Sequence, residues 1–345
     1  MIDLVSAVER ARLVDPAGHE VEQVIEHRTD PLTGTVASIN AALGEKARAF
    51  LGANDPALLT ELQERSRTGC PFCAAAEKAT RFPPSLVAEG QLRVGRSIGF
   101  PNLFSKASLD AVVVLDPAVH DLFPSRLAPD ALGSAIATVA ELARRARAQD
   151  AALVHHVAGM NFLGPGGSSM PHPHLQIQAR TVPYSGLAQL LQAGRAAAAR
   201  HGGSFWEALL AQERGGPRHV GATGPVEWLA AWAPARQKEL WGLLPGKSSL
   251  VELNESEARA FGEDIARVVA FYEAGGQHSF TLAFLSAPVP ERSHTLQVRL
   301  CARPAFRATY TNYDTWFAPL FAGDDAHTEA PESYAGRLRA AWSRS

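Results

Sequence analysis

The chain has 345 residues, 46% of them hydrophobic and 20% charged, with a formal net charge of −2. That length can bury a large core, and the near-neutral balance leaves no basic field to recruit nucleic acid. No run of about 18 apolar residues is present, so no membrane span is expected. The three cysteines make no disulfide framework and fit a reducing cytoplasm, and the N-terminus MIDLVSAVERARLVD lacks a signal-peptide core.

Residues 1–27 read as a helix followed by an irregular lead-in. Arg28 to Gly34, RTDPLTG, is a turn, and Thr35 to Ile39 after it leans apolar as a strand does. Cys70-Pro71-Phe72-Cys73 is a CxxC. Alone it is compatible with half of a zinc site, with a redox pair or with two plain thiols. Gln91 to Phe104, QLRVGRSIGFPNLF, reads as one strand ending at Pro101. Ala128 to Asp150 has the spacing of an amphipathic helix, with Leu132, Ile136, Val139 and Leu142 on one stripe. Ala152 to Gly159 reads as the strand that feeds the next segment.

That segment, Asn161 to Arg180 (NFLGPGGSSMPHPHLQIQAR), is the most informative in the chain. Its glycines interrupt regular structure, and Pro171 and Pro173 force an extended run. Alternation then sets His172, His174 and Gln176 on one face and Leu175 and Ile177 on the other. Two imidazoles and an amide after a turn rich in N–H groups suit a phosphate group. The competing reading is a satisfied structural histidine pair.

Beyond it, Tyr184 to His201 and Ser204 to Gln212 read as helices. Glu227 to Leu244 reads as a Trp-containing strand pair, and Glu252 to Glu273 as a helix opened by Asn254. His278 to Pro288 and Ser293 to Arg299 read as two strands. Residues 225–305 thus repeat the order of strands, helix and strands seen in residues 90–180.

The Asn161…Ser169…His172-Pro173-His174-x-Gln176 pattern resembles the active-site segment of the galactose-1-phosphate uridylyltransferase family, within the histidine-triad superfamily. The resemblance follows the chain nearly throughout. It implies an α+β fold of two histidine-triad-like halves, 1–185 and 186–345, each an antiparallel sheet flanked by helices. It implies that His174 is the nucleophile of a nucleotidyl-histidine intermediate, with Gln176, Asn161, Ser168 and Ser169 on phosphoryl oxygens. It makes Cys70, Cys73, His120 and His172 one structural zinc site, and places Phe100 and Asn102 at the base and ribose. It also implies a homodimer acting on nucleotide sugars and sugar phosphates in carbohydrate metabolism.

The departures are specific. Where the family carries phosphate-binding arginines, this chain has Ala42-Leu43-Gly44-Glu45-Lys46-Ala47, so Lys46 is the one cation left. Leu103 stands where the family has a ribose-binding Asp. Leu285, Gln297 and Arg299 stand where it often has a second metal's histidines, so no second metal is expected. The sugar-contacting lysine has no evident counterpart near Tyr310. The expected activity is therefore nucleotidyl transfer to a sugar 1-phosphate with altered substrates. The alternative is a phosphorylase or hydrolase that uses the same histidine with phosphate or water as acceptor.

Overall fold

The computed structural model describes residues 1–46, 53–310, 312 and 315–342. The strands are β1 (Ser6–Val14), β2 (Glu20–Thr29), β3 (Val36–Ile39), β4 (Leu92–Val94), β5 (Ser97–Pro101), β6 (Leu109–Val114), β7 (His155–Phe162), β8 (His174–Arg180), β9 (His219–Thr223), β10 (Val226–Ala230), β11 (Leu240–Leu244), β12 (Phe280–Leu285), β13 (Leu296–Ala302) and β14 (Asp325–His327). The helices are α1 (Ala42–Lys46), α2 (Pro56–Arg67), α3 (Ala75–Lys78), α4 (Pro129–Gln149), α5 (Ser185–His201), α6 (Phe205–Glu213), α7 (Glu255–Ala274) and α8 (Pro331–Trp342). None of the described helices is long and apolar enough to cross a membrane.

One ten-stranded sheet runs in the order β4-β5-β6-β8-β7-β12-β13-β11-β10-β9. It is an α+β fold built from a repeat. Three strands, a long helix and two more strands occur twice, as β4-β5-β6-α4-β7-β8 and β9-β10-β11-α7-β12-β13. Each set has its last two strands in swapped spatial order. The sets join where β7 pairs antiparallel with β12, from Phe162↔Phe280 to Val157↔Leu285. A smaller sheet, β1-β2-β3-β14, carries the N-terminus.

The helical stripe read from the sequence is the one that α4 buries: Leu132, Ile136, Val139 and Leu142 are all nearly inaccessible. Helix α7 opens with a capping box, in which Asn254 accepts from the Glu257 N–H and Glu257 accepts from the Asn254 N–H. The two helices cross at two glycines. A Cβ on Gly262 would lie 2.5 Å from the Gly133 nitrogen and 2.6 Å from the Pro129 carbonyl oxygen. The opposite face is covered in the second repeat by α5 and α6, where Trp206 meets Trp241 edge-on at 5.8 Å.

Two expectations fail here. Residues 1–27 form no helix but the β1–β2 hairpin, paired from Ser6↔Arg28 to Val14↔Glu20. Its turn is Asp15-Pro16-Ala17-Gly18, where the Asp15 carboxylate accepts from the Ala17 and His19 N–H groups. Both faces of β1 are largely exposed, so no apolar alternation marks it as a strand, and its sequence can pass for a charged helix. Gln91 to Phe104 is likewise two strands, because Gly95 takes φ 54° and turns the chain back. The Arg28–Gly34 turn is as expected: the Asp30 carboxylate accepts from the Leu32 and Thr33 N–H groups.

The glycine crossing generates a prediction. Gly262→Ala inserts a methyl against backbone that cannot yield, so it should cost about 1–3 kcal/mol of stability. Urea unfolding of the variant checks this; a wild-type midpoint would show that the helices have room to spare.

Candidate active site

Four side chains gather at the start of β8. Cys70 and Cys73 come from the tight segment after α2, His120 from the loop after β6, and His172 from the run leading into β8. Their ligating atoms all lie within 4.8 Å of one another. The Nδ1 atoms of His120 and His172 are 3.1 Å apart, Cys73 Sγ is 3.3 Å from His120 Nδ1 and 3.5 Å from His172 Nδ1, and Cys70 Sγ is 3.6 Å from His172 Nδ1. Ligand atoms around a tetrahedral zinc stand about 3.3–3.8 Å apart for Zn–N and Zn–S bonds of ordinary length. The outer nitrogens are occupied: His172 Nε2 donates to the Asp116 carbonyl oxygen at 3.2 Å, and His120 Nε2 is 2.9 Å from Ser66 Oγ. The carbonyl acceptor puts the His172 proton on Nε2 and its Nδ1 lone pair inward, as metal-binding imidazoles require, and the Ser66 hydroxyl is able to accept from His120 Nε2 in the same sense.

The electrostatics agree with a cation's place. Burial pushes the Cys73 thiol up to about 11, with Cys70 adding to it. Burial also pulls His172 down to about 4 and lowers His120. Neutral imidazoles are ready ligands, and buried thiols become good ones only when a metal compensates their charge. The donor set therefore fits a metal ion.

His174 sits two residues on. Its Nδ1 is 2.7 Å from the carbonyl oxygen of His172. Only an N–H can donate to that oxygen, so the proton is on Nδ1 and the Nε2 lone pair is free. Burial lowers the His174 pKa, which favours the neutral ring. The ring of Phe72 packs edge-on against His174 at 5.1 Å and against His172 at 6.0 Å. Phe72 was not singled out from sequence, although its place between the two cysteines was the available signal. Asp116 and Ser66, which support the imidazoles from behind, carried no signal at all.

Gln176 pairs across β8 with Val112 and Gly159, on the same face as His174. Asn161 lies on that face two residues beyond Gly159 and is exposed. Ser168 donates its hydroxyl to the Met170 carbonyl oxygen at 2.8 Å, and Ser169 is exposed. Phe100 is buried on β5 opposite Val112, 5.6 Å from the Phe72 ring. Asn102 is held at the far end of this face: its amide donates to Asp110 at 3.3 Å and its oxygen accepts from the Phe104 N–H. The Lys46 side chain lies outside the described residues. In the second repeat, Gln297 is fully buried and donates to the Thr295 carbonyl oxygen, while Arg299 stacks on Trp241 at 4.4 Å.

No family model matches the chain. An uncharacterized protein of Archaeoglobus fulgidus is 27% identical over 343 residues, 97% of this chain and 98% of the relative. Among solved structures, an ADP-glucose phosphorylase from Arabidopsis thaliana with bound ADP-glucose superposes with a TM-score of 0.70 at 15% identity, over 91% of this chain and 98% of that one. A GalT-like protein from Arabidopsis thaliana gives 0.69 at 16% identity, again over 91% and 98%. A uridylyltransferase gives 0.66 at 20% identity over 92% and 98%. The chain has the GalT-like histidine-triad fold. The resemblance read from the sequence is borne out at that level.

The donor geometry generates a prediction about metal. Protein purified without chelator should carry about one zinc per chain, and Cys73→Ser should retain at least about 10-fold less, because one thiolate of four donors is lost. Elemental analysis checks both; a Cys73→Ser protein with full metal content would show that the ion sits elsewhere.

Proposed function

We propose that the chain is a nucleotidyltransferase working through a nucleotidyl-His174 intermediate. The observation that carries this reading is the His172 carbonyl fixing the His174 proton on Nδ1, which leaves a neutral Nε2 lone pair on the face shared with Gln176. That lone pair attacks the α-phosphorus of a nucleotide, forming an N–P bond while the P–O bond to the leaving phosphate or sugar phosphate breaks. Positive charge that develops on the ring is shared with the His172 carbonyl through the Nδ1 hydrogen bond. A second phosphate oxygen then attacks phosphorus, the N–P bond breaks, and His174 is neutral again. Gln176, Asn161 and Ser169 hold the non-bridging oxygens, Ser168 having its hydroxyl on the Met170 carbonyl oxygen and its N–H on that of Leu163, and Phe100 packs near the base. A metal on Cys70, Cys73, His120 and His172 supplies rigidity rather than bond chemistry, since it pins the residue whose carbonyl orients His174.

The two halves, 1–185 and 186–345, then divide the labour, with the chemistry in the first. For the acceptor, a sugar 1-phosphate is the first reading. Inorganic phosphate is the second, supported by the absence of arginine from Ala42 to Ala47 and by the likeness to a phosphorylase. A homodimer completes the reading, with size-exclusion light scattering as its check.

His174→Ala should abolish the nucleotidyl-enzyme adduct, and Gln176→Ala should slow its formation by on the order of 10²-fold through one lost phosphoryl contact. Intact-mass detection of the adduct across UDP-glucose, ADP-glucose and free nucleotides tests this. Adduct formation by His174→Ala at the wild-type rate would place the nucleophile elsewhere. Resolution of the wild-type adduct by sugar phosphates or by phosphate alone separates the two acceptors.

A further inference from the structure

The loop between β7 and β8 is clamped in a conformation that its own sequence resists. Leu163 has φ 62° and ψ 169°, a region occupied essentially by glycine. Its side chain is nonetheless buried in the main core, directly after the buried Phe162, so the alternation of β7 breaks here. The break turns the Leu163 carbonyl inward, where it accepts from the N–H groups of both Gly166 and Ser168 at 3.0 Å. The loop is then fastened from the other half of the molecule. Thr281 on β12 donates its hydroxyl to the Gly166 carbonyl oxygen at 3.0 Å, and Arg303 Nε donates to the Pro165 carbonyl oxygen at 3.3 Å. Gly166 is pressed so close to β12 that a Cβ there would lie 2.6 Å from the Phe280 carbonyl oxygen.

The bonding has a chemical consequence. The N–H groups of Gly166, Gly167 and Ser168 all close turns inside the loop. They are not the ones that greet a phosphate. What the loop presents is its far limb, Ser169 and Met170, and its entry, Asn161. The position of that limb depends on where the turn is held.

We infer that Leu163 and Thr281 are positioning residues: the buried leucine and the cross-half hydroxyl together fix the loop that leads through Ser169 into the strand carrying His174. This rests on the nucleotidyl-transfer reading for its catalytic part and not for its structural part. Leu163→Gly permits the same backbone angles but removes the anchor. Thr281→Val keeps the shape and removes one hydrogen bond, so it remains informative if the glycine variant fails to fold.

The experiment has two readouts. In hydrogen exchange followed by mass spectrometry, peptides spanning 163–170 should exchange at least about 10-fold faster in both variants than in wild type, as local opening becomes easier. In adduct formation on His174, both variants should lose rate, up to about 10²-fold for Leu163→Gly, with little change in KM, because misplacement rather than weaker binding is the defect. Leu163→Met, which keeps an apolar anchor of similar volume, should restore wild-type behaviour in both. Ile136→Val, a core change on α4, should lower thermal stability and leave both loop readouts alone. Wild-type exchange over 163–170 in Thr281→Val or Leu163→Gly overturns the inference; so does wild-type adduct formation at unchanged KM. If the wild-type protein forms no adduct with any nucleotide, the proposed function falls, and the exchange readout alone decides the clamp.

Discussion

The bond from His174 Nδ1 to the carbonyl oxygen of His172 is the constraint on which the site depends. It spans two residues, and Pro173 between them fixes one of the backbone angles of that short link. It selects one tautomer, and the tautomer decides which nitrogen can act. The carbonyl that accepts belongs to a residue whose own ring lies among Cys70, Cys73 and His120. A metal among those four donors would reach His174 through one peptide group. Phe72 makes the same connection by packing, since one ring closes over both imidazoles.

The repeated architecture gives this small site a large support. Only the first repeat carries the His-Pro-His strand, but the second is not idle mass. Its first long strand after α7 lies against β7 and reaches the loop between β7 and β8 through Thr281, and Arg303 follows from beyond β13. Its helix α7 lies so close to α4 that glycines are needed at the crossing. A large buried interface between two similar halves lets one of them hold strain that a lone half would release.

How much of this was legible can be judged residue by residue. His174 and Gln176 share a face through the period-two alternation of β8, which the sequence displays openly, whereas His172 lies in a bend before that strand, its N–H bonded to the Met170 carbonyl oxygen, and not on an extended run. The helices α4 and α7 announced themselves by their amphipathic pattern, α7 by its cap as well, and α5 by its run of alanines. The β1–β2 hairpin did not, because a strand exposed on both faces carries no alternation to read. The gathering of His120 with the cysteines spans about fifty residues of chain and is fixed by sheet register, so it came from resemblance and not from spacing. Leu163 was invisible for a different reason: nothing in a leucine's identity advertises a backbone angle normally left to glycine.

The seam between β7 and β12 has a further consequence, for solubility. An antiparallel sheet ends in two strands with unpaired backbone groups, and long free edges invite other chains to pair with them. Here the sheet ends at β4 and β9, strands of three and five residues. The eight-residue β7 and six-residue β12 would each be a free edge if the halves were apart. Joined edge to edge, each hides the other's exposed backbone, and the apolar centre of the sheet is kept from templating aggregation.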